Sequence, residues 1–318
     1  MNIRITITVV IVFIFVFGTL FGSHYYSSSK EVGNNYEEFF SKQFDKDKKI
    51  FILGSSHIGT LNTTLVNQMI NNYDTKFEVF HLGYNGDKPE KRKQMLSNLV
   101  DLNPSLIVYG ISYRDFGSFN PIDEPEFYDI KQYWEITVNE FNEEESINPQ
   151  LMIRKIIRNS LVNMETSQTL TKDITPINTP FTTISKTETK INDRDSIKRQ
   201  VLNSINSPSE LKIPLENNKQ VESLKNIIEK FQDSGIKIVI FLTPLTDEYT
   251  KDLSDSTKTE FKKIIFEIEE QYSLKIHDFT NKYSEFDIWH DLDHVAYNEK
   301  SMIYTKELGE LIIFELDV

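Results

Sequence analysis

The stretch Lys48-Lys49-Ile50-Phe51-Ile52-Leu53-Gly54-Ser55-Ser56-His57-Ile58-Gly59 decides the fold. Ile50 to Leu53 is a short apolar run of the kind that forms a buried strand. It stops at Gly54, and two hydroxyls and an imidazole follow at once. Beyond Gly59, Leu61, Leu65, Val66, Met69 and Ile70 recur at helical spacing. The segment therefore reads as strand, sharp turn, helix. Such turns at the carboxyl ends of parallel strands are where open α/β sheets bind ligands. They lift a serine out of the sheet and aim helix-start N–H groups at whatever that serine attacks. Two readings of Ser55-Ser56 stand on this stretch alone. Ser56 is a nucleophile, or the pair is a helix cap, for which serine is preferred.

Outward from this stretch, strands and helices alternate. Lys76 to Leu82 is a second strand, ending in the glycine-rich turn Gly83-Tyr84-Asn85-Gly86-Asp87. Pro89 opens a helix through about Leu102, a favourable place for proline. Ser105 to Tyr109, Ile236 to Leu242 and Leu274 to Phe279 read as further strands, with Ile236 to Leu242 central. Val221 to Phe231, Tyr249 to Tyr272 and Asn298 to Phe314 read as helices. The alternation predicts βαβ units. The expected fold is a three-layer α/β/α flavodoxin-like sandwich on a mostly parallel five-stranded sheet in the order 2-1-3-4-5, with all carboxyl ends at one edge. Residues 116–215 break the pattern: an aromatic stretch with Trp134, a helical segment Leu151 to Met164, and a Thr- and Ser-rich loop from Thr166 to Asp195. An insertion of that size reads as a helical and loop cap over the site, or a partner-binding surface.

Composition narrows the function. The 318 residues carry a net charge of -13, which argues against a nucleic-acid partner. Cysteine is absent, so disulfides, thiolate catalysis and cysteine-ligated zinc are excluded. Ile5 to Phe21 is apolar and uncharged, with Arg4 before it. Its length and flanks predict a transmembrane anchor over 1–23, a tether over 24–47 and an extracytoplasmic domain over 48–318, single-pass in the cell membrane. A cleaved signal peptide is the rival reading.

A second cluster lies near the carboxyl end, in Asp291-Leu292-Asp293-His294. An acid three residues before a histidine can accept from Nδ1–H while Nε2 takes a proton from a serine. Ser56 follows the first strand and His294 follows the last, so both reach one sheet edge. Two other readings remain: a solvated acidic loop, or a divalent-cation site built from His290, Asp291, Asp293 and His294.

With these residues in hand, the chain resembles the SGNH, or GDSL-type, hydrolase superfamily. Four blocks match in order: Gly54-Ser55-Ser56, Gly83-Tyr84-Asn85-Gly86-Asp87, Gly110-Ile111-Ser112-Tyr113, and Asp291-x-x-His294. The resemblance spans roughly 48–115 and 220–315 and leaves the insertion unexplained. It implies Ser56 as nucleophile, His294 as base, Asp291 as its orienting acid, and Gly86 in the oxyanion hole. It requires no cofactor and no metal. Gly54-Ser55-Ser56-His57, with Tyr113-Arg114-Asp115 and Thr243-Pro244-Leu245, looks like the membrane-anchored branch related to alginate O-acetyltransferases and D-alanyl-transfer envelope proteins. That branch implies a glycan or acyl-ester substrate and a membrane acyltransferase partner.

Two departures stand out. Ser55 replaces the family's aspartate, and Ser112 occupies the column of an oxyanion-hole asparagine. Losing one such donor costs about 10² to 10³ in rate. His57 either contacts substrate or caps a helix start; Arg114 either pairs with Asp115 or binds an anionic substrate. His81 and His277 read as structural. The expected function is an SGNH-type serine esterase or O-acyltransferase acting on cell-envelope glycan or related esters. The alternative is a non-catalytic SGNH-like glycan-binding or assembly protein. A separation between Ser56 Oγ and His294 Nε2 above about 5 Å would favour the alternative.

Overall fold

The computed structural model describes residues 39–40, 44–118, 189–203 and 207–317. The chain divides into two units, Met1–Gly117 with Pro176–Val318, and Ser118–Thr175; the described residues belong to the first, apart from Ser118. The apolar segment 5–21, Trp134, the helix expected at 151–164 and most of the loop that follows it lie outside the described residues. Among the described residues no helix is long and apolar enough to cross a membrane.

Five strands form the sheet: β1 (Lys48–Gly54), β2 (Phe77–His81), β3 (Leu106–Ile111), β4 (Lys237–Leu242) and β5 (Ile276–Asp278). The order is β2-β1-β3-β4-β5 and every pairing is parallel, as the sequence predicts. Ile50 to Leu53, Leu106 to Val108, Ile240 and Phe241 are fully buried, the mark of strands covered on both faces. One helical layer contains α1 (Thr63–Tyr73) and the carboxyl-terminal helix Met302–Asp317 packed on it. The other contains α2 (Pro89–Lys93), α3 (Leu96–Asp101) and the helices Lys219–Asp233 and Asp255–Tyr272. In chain order the remaining helices are α4 (Tyr113–Phe116), α5 (Arg194–Asn203), α6 (Lys219–Asp233), α7 (Asp247–Asp252), α8 (Asp255–Tyr272) and α9 (Met302–Asp317).

Several boundaries differ from expectation, each for a local reason. The helix expected from Pro89 to Leu102 is two helices. Gln94 N–H bonds back to Lys91 O and Met95 N–H to Arg92 O, each at 3.1 Å, and these three-residue steps tighten the backbone out of the α ladder. The helix expected from Tyr249 to Tyr272 is broken at buried Leu253, and Ser254 Oγ accepts from Thr257 N–H at 3.1 Å to start a new one. Phe39, in the stretch expected as a tether, packs edge-on against Phe51 and Phe80, and Phe44 packs on Phe80.

After β1 the chain follows the expected strand, sharp turn and helix: Ser56–Ile58 is a single 3₁₀ turn, and α1 starts at Thr63, where Asn62 Oδ1 accepts from Leu65 N–H at 3.0 Å. The 3₁₀ turn is held by Ile58, which is fully buried against three glycines at strand ends. A Cβ on Gly83 would stand 2.5 Å from Ile58 Cδ1, and one on Gly110 2.6 Å from Ile58 Cγ2. Gly54 itself has φ of +148°, a region closed to ordinary side chains. Buried His81 completes the hold, its Nε2–H donating to Ile58 O at 2.9 Å. Gly83→Ala is expected to lower stability by about 1–3 kcal/mol through overpacking. Urea unfolding of Gly83→Ala, Ile58→Ala and the double variant should show a coupling of at least about 0.5 kcal/mol; additive losses would mean the two sites do not touch.

Candidate active site

Three elements meet at the carboxyl edge of the sheet. The 3₁₀ turn after β1 presents Ser56, only partly buried. Its Oγ lies 2.8 Å from His294 Nε2, although 238 positions separate the two. Neither serine acts as a helix cap: the Ser55 hydroxyl is buried and lies 2.9 Å from His57 Nδ1.

His294 sits at the tip of a tight loop. Trp289 and Val295 bridge antiparallel, and His290 N–H bonds to His294 O at 2.9 Å. Asp291 Oδ1 accepts the backbone N–H groups of Asp293 (3.1 Å) and His294 (2.8 Å), the local side-chain-to-backbone bond that aspartate makes in turns. The same carboxylate lies 2.9 and 3.1 Å from His294 Nδ1. The ring therefore carries a proton on Nδ1 and directs Nε2 to Ser56. The loop is buttressed by residues of the expected insertion. Asn192 N–H donates to Trp289 O at 2.8 Å, Asn192 Nδ2 donates to His290 O, and Leu292 N–H donates to Gln200 Oε1 at 2.9 Å. Nothing in the low-periodicity stretch around Asn192 marked it for this task.

Asp293 is the residue that the sequence reading left without a catalytic role. It is 5% exposed, and its Oδ1 lies 3.0 Å from His294 Nδ1. Its Oδ2 meets Arg114 Nη1 at 2.9 Å and His57 Nε2 at 3.4 Å. The His57 and His294 rings stack with centroids 4.9 Å apart and planes 9° from parallel. Arg114 thus pairs with Asp293 and not with Asp115, and its side chain is 33% exposed. Buried His57 faces Asp293 and Ser55, so it is not a helix cap.

Charge in this cluster is unevenly held. Burial disfavours the His294 cation, but the Asp293 charge and the hydrogen bonding of its ring to the Asp291 and Asp293 carboxylates outweigh it and raise the imidazole to about 10. Burial also works against ionised Asp293, yet His294, His57 and Arg114 hold its carboxyl well below the usual range. His57 goes the other way: burial lowers it, with the His294 and Arg114 charges adding to that and Asp293 opposing.

The two expected oxyanion residues stand at the same edge. Gly86 lies exposed in the turn after β2, with φ of +68° at the third turn position. That turn is braced by fully buried Arg92, which donates to Leu82 O at 2.7 Å and through Nε to Asp87 Oδ2 at 3.0 Å. Ser112, buried after β3, spends its N–H on the Asp115 carboxylate, which burial raises to about 7 against that hydrogen bond.

The metal reading changes membership. His290 Nδ1 turns to Lys190 O at 3.1 Å, and the described groups close enough to share a cation are His57, Asp293 and His294. They fit one poorly. Asp293 already holds a guanidinium, and both His294 nitrogens are engaged.

No protein-family model matches the sequence, and no curated protein matches it. Solved structures similar in fold include a lipase/acylhydrolase from Enterococcus faecalis, 13% identical, with a TM-score of 0.43 over 85% of this chain and 95% of that one. The psychrotrophic esterase EstA from Pseudoalteromonas sp. is 10% identical, with a TM-score of 0.43 over 86% of this chain and 100% of its own. A variant of Axe2, an acetylxylan esterase from Geobacillus stearothermophilus, is 10% identical, with a TM-score of 0.41 over 86% and 96%. At such scores and identities none of these likenesses bears on the chemistry of this chain, which rests on its own side chains.

Because His294 is raised from 6.5 to about 10, its charge stabilises the fold fully below about pH 6.5 and ceases to do so as pH rises through about 10. The stability difference between wild type and His294→Gln, taken from urea midpoints, should therefore be largest near pH 6 and shrink toward pH 10. A difference that grew with pH would contradict this assignment.

Proposed function

We propose that the protein is a serine esterase or O-acyltransferase of SGNH type. The observation that carries this reading is the unbroken line from Ser56 Oγ to His294 Nε2, 2.8 Å, and from His294 Nδ1 to Asp291, 2.9 Å. That separation is well inside the roughly 5 Å beyond which the non-catalytic reading would be favoured. Ser56 Oγ attacks the ester carbonyl while Nε2 takes its proton; Nε2 then returns the proton to the departing alcohol. The acyl group, now on Ser56, passes to water in hydrolysis or to a second hydroxyl in transfer, with His294 again as base. The N–H groups of Ser56 and Gly86, with the Ser112 hydroxyl, hold the oxyanion.

A glycan ester of the cell envelope is the substrate we favour, supported by the resemblance of Gly54-Ser55-Ser56-His57 and by the apolar Ile5 to Phe21 stretch. The same features support a membrane-anchored, extracytoplasmic protein working with a membrane acyltransferase. One observation favours the second reading, a glycan-binding or assembly protein without turnover: Ser112 replaces the expected amide donor, and its N–H is committed to Asp115.

A fluorophosphonate probe separates the two. Wild type is expected to label at Ser56, and Ser56→Ala to lose labelling and at least about 10³-fold of esterase activity. Absence of wild-type labelling from pH 7 to 10 would leave the binding protein as the reading. With His294 raised to about 10, its base form grows as pH rises. Labelling should therefore climb about tenfold per unit below that value. A plateau already at pH 6 would be incompatible with a charged resting imidazole.

A further inference from the structure

Two carboxylates lie close to His294 Nδ1 where the resemblance to SGNH hydrolases supplies one: Asp291 in hydrogen-bond geometry at 2.9 Å and Asp293 as an ion pair at 3.0 Å. Their surroundings differ. The Asp291 side chain is 36% exposed and that of Asp293 is 7% exposed. A charge in water is screened far more strongly than one in the protein interior. Asp291 Oδ1 is also shared with two backbone N–H groups of its own loop. Asp293 spends nothing on the loop: Oδ1 serves His294, and Oδ2 is fixed from two other elements, by Arg114 on α4 and His57 after β1.

We infer that Asp293 supplies most of the negative charge that faces His294, that Asp291 folds the loop and accepts the ring's Nδ1–H, and that His57 is a positioning residue holding both Asp293 and the His294 ring plane. The His57 ring lies flat on His294, a wall 4.9 Å away. Its Nε2–H points to Asp293, and its Nδ1 accepts from the Ser55 hydroxyl at 2.9 Å. This accounts for Ser55 where the resemblance has aspartate. A carboxylate at position 55 would draw a proton onto His57 and set two cationic rings face to face. A hydroxyl fixes the ring and leaves it neutral, in keeping with its lowered pKa. Among the described residues, the charged and titratable groups around His294 are Asp291 and Asp293 on its own loop, His57 after β1, and, through Asp293, Arg114 on α4, beside which lies the Tyr249 ring of α7.

The inference deepens the proposed catalytic reading, and its test includes a readout that does not need catalysis. The ¹⁵N-labelled full chain is titrated by NMR, with the His294 signals assigned by their loss in His294→Gln. Asp293→Asn should lower the His294 midpoint by more than about one pH unit, and Asp291→Asn by less than about half a unit. If Asp291→Asn moves it as far or further, the inference is overturned. Should Asp293→Asn not fold with Arg114 left unpaired, Asp293→Asn/Arg114→Gln carries the same comparison. His57→Gln keeps an N–H for Asp293 and should hold the midpoint better than His57→Leu; identical shifts in the two would remove His57 from the proposal. In p-nitrophenyl acetate kinetics, Asp293→Asn should lower kcat by about 10²-fold with KM changed less than about twofold. The expected NMR shifts without any fluorophosphonate labelling of wild type would sink the catalytic reading and leave this one standing.

Discussion

The packing of Ile58 into Gly54, Gly83 and Gly110 is the contact on which the site depends. Interiors are close-packed, and a side chain seated between three strand ends has nowhere to relax. Gly54 ends β1, Gly110 is the penultimate residue of β3 and Gly83 lies two residues past β2, so the ends of three neighbouring strands close around one side chain. Ile58 in turn fixes the 3₁₀ turn that carries Ser55, Ser56 and His57. The positions of two hydroxyls and an imidazole are thereby tied to the register of the sheet. A serine on a free loop would lose much of the advantage that fixed orientation provides.

Upon that frame sits an electrostatic arrangement with one sign at each place. Asp293 lies between Arg114, His57 and His294 and stays ionised despite burial. His294 takes the positive charge, and His57, in parallel contact with it, does not. Two cations could not be stacked so closely in a buried site without a large repulsion. The arrangement rests on each ring having a different partner at Nδ1: a hydroxyl for His57, and for His294 the hydrogen-bonded Asp291 carboxylate with the Asp293 charge 3.0 Å away.

The strands were legible because apolar runs of four to seven residues bounded by glycine, proline or asparagine have few other structures open to them. Their order was expected from the doubly wound flavodoxin-like arrangement that alternating strands and helices suggest. Ser56, His294 and Asp291 were legible because Ser56 follows the first strand and Asp291 and His294 follow the last, so that both stretches reach one sheet edge, and because their spacing resembles that of SGNH hydrolases. The helix breaks were not. Tertiary pull on Arg92 and Leu253 overrode continuous helical periodicity.

Sequence by itself determined the layers, the strand order and the three residues that line up from Ser56 to Asp291, because periodicity and connectivity are properties of the chain. Tertiary structure alone decided that Arg114 meets Asp293 and not its neighbour Asp115, that His57 stacks on His294, and that Asn192 and Gln200 support the loop. Those are contacts between residues tens to hundreds of positions apart, whose partners are chosen by burial and local charge. No spacing in the sequence encodes them.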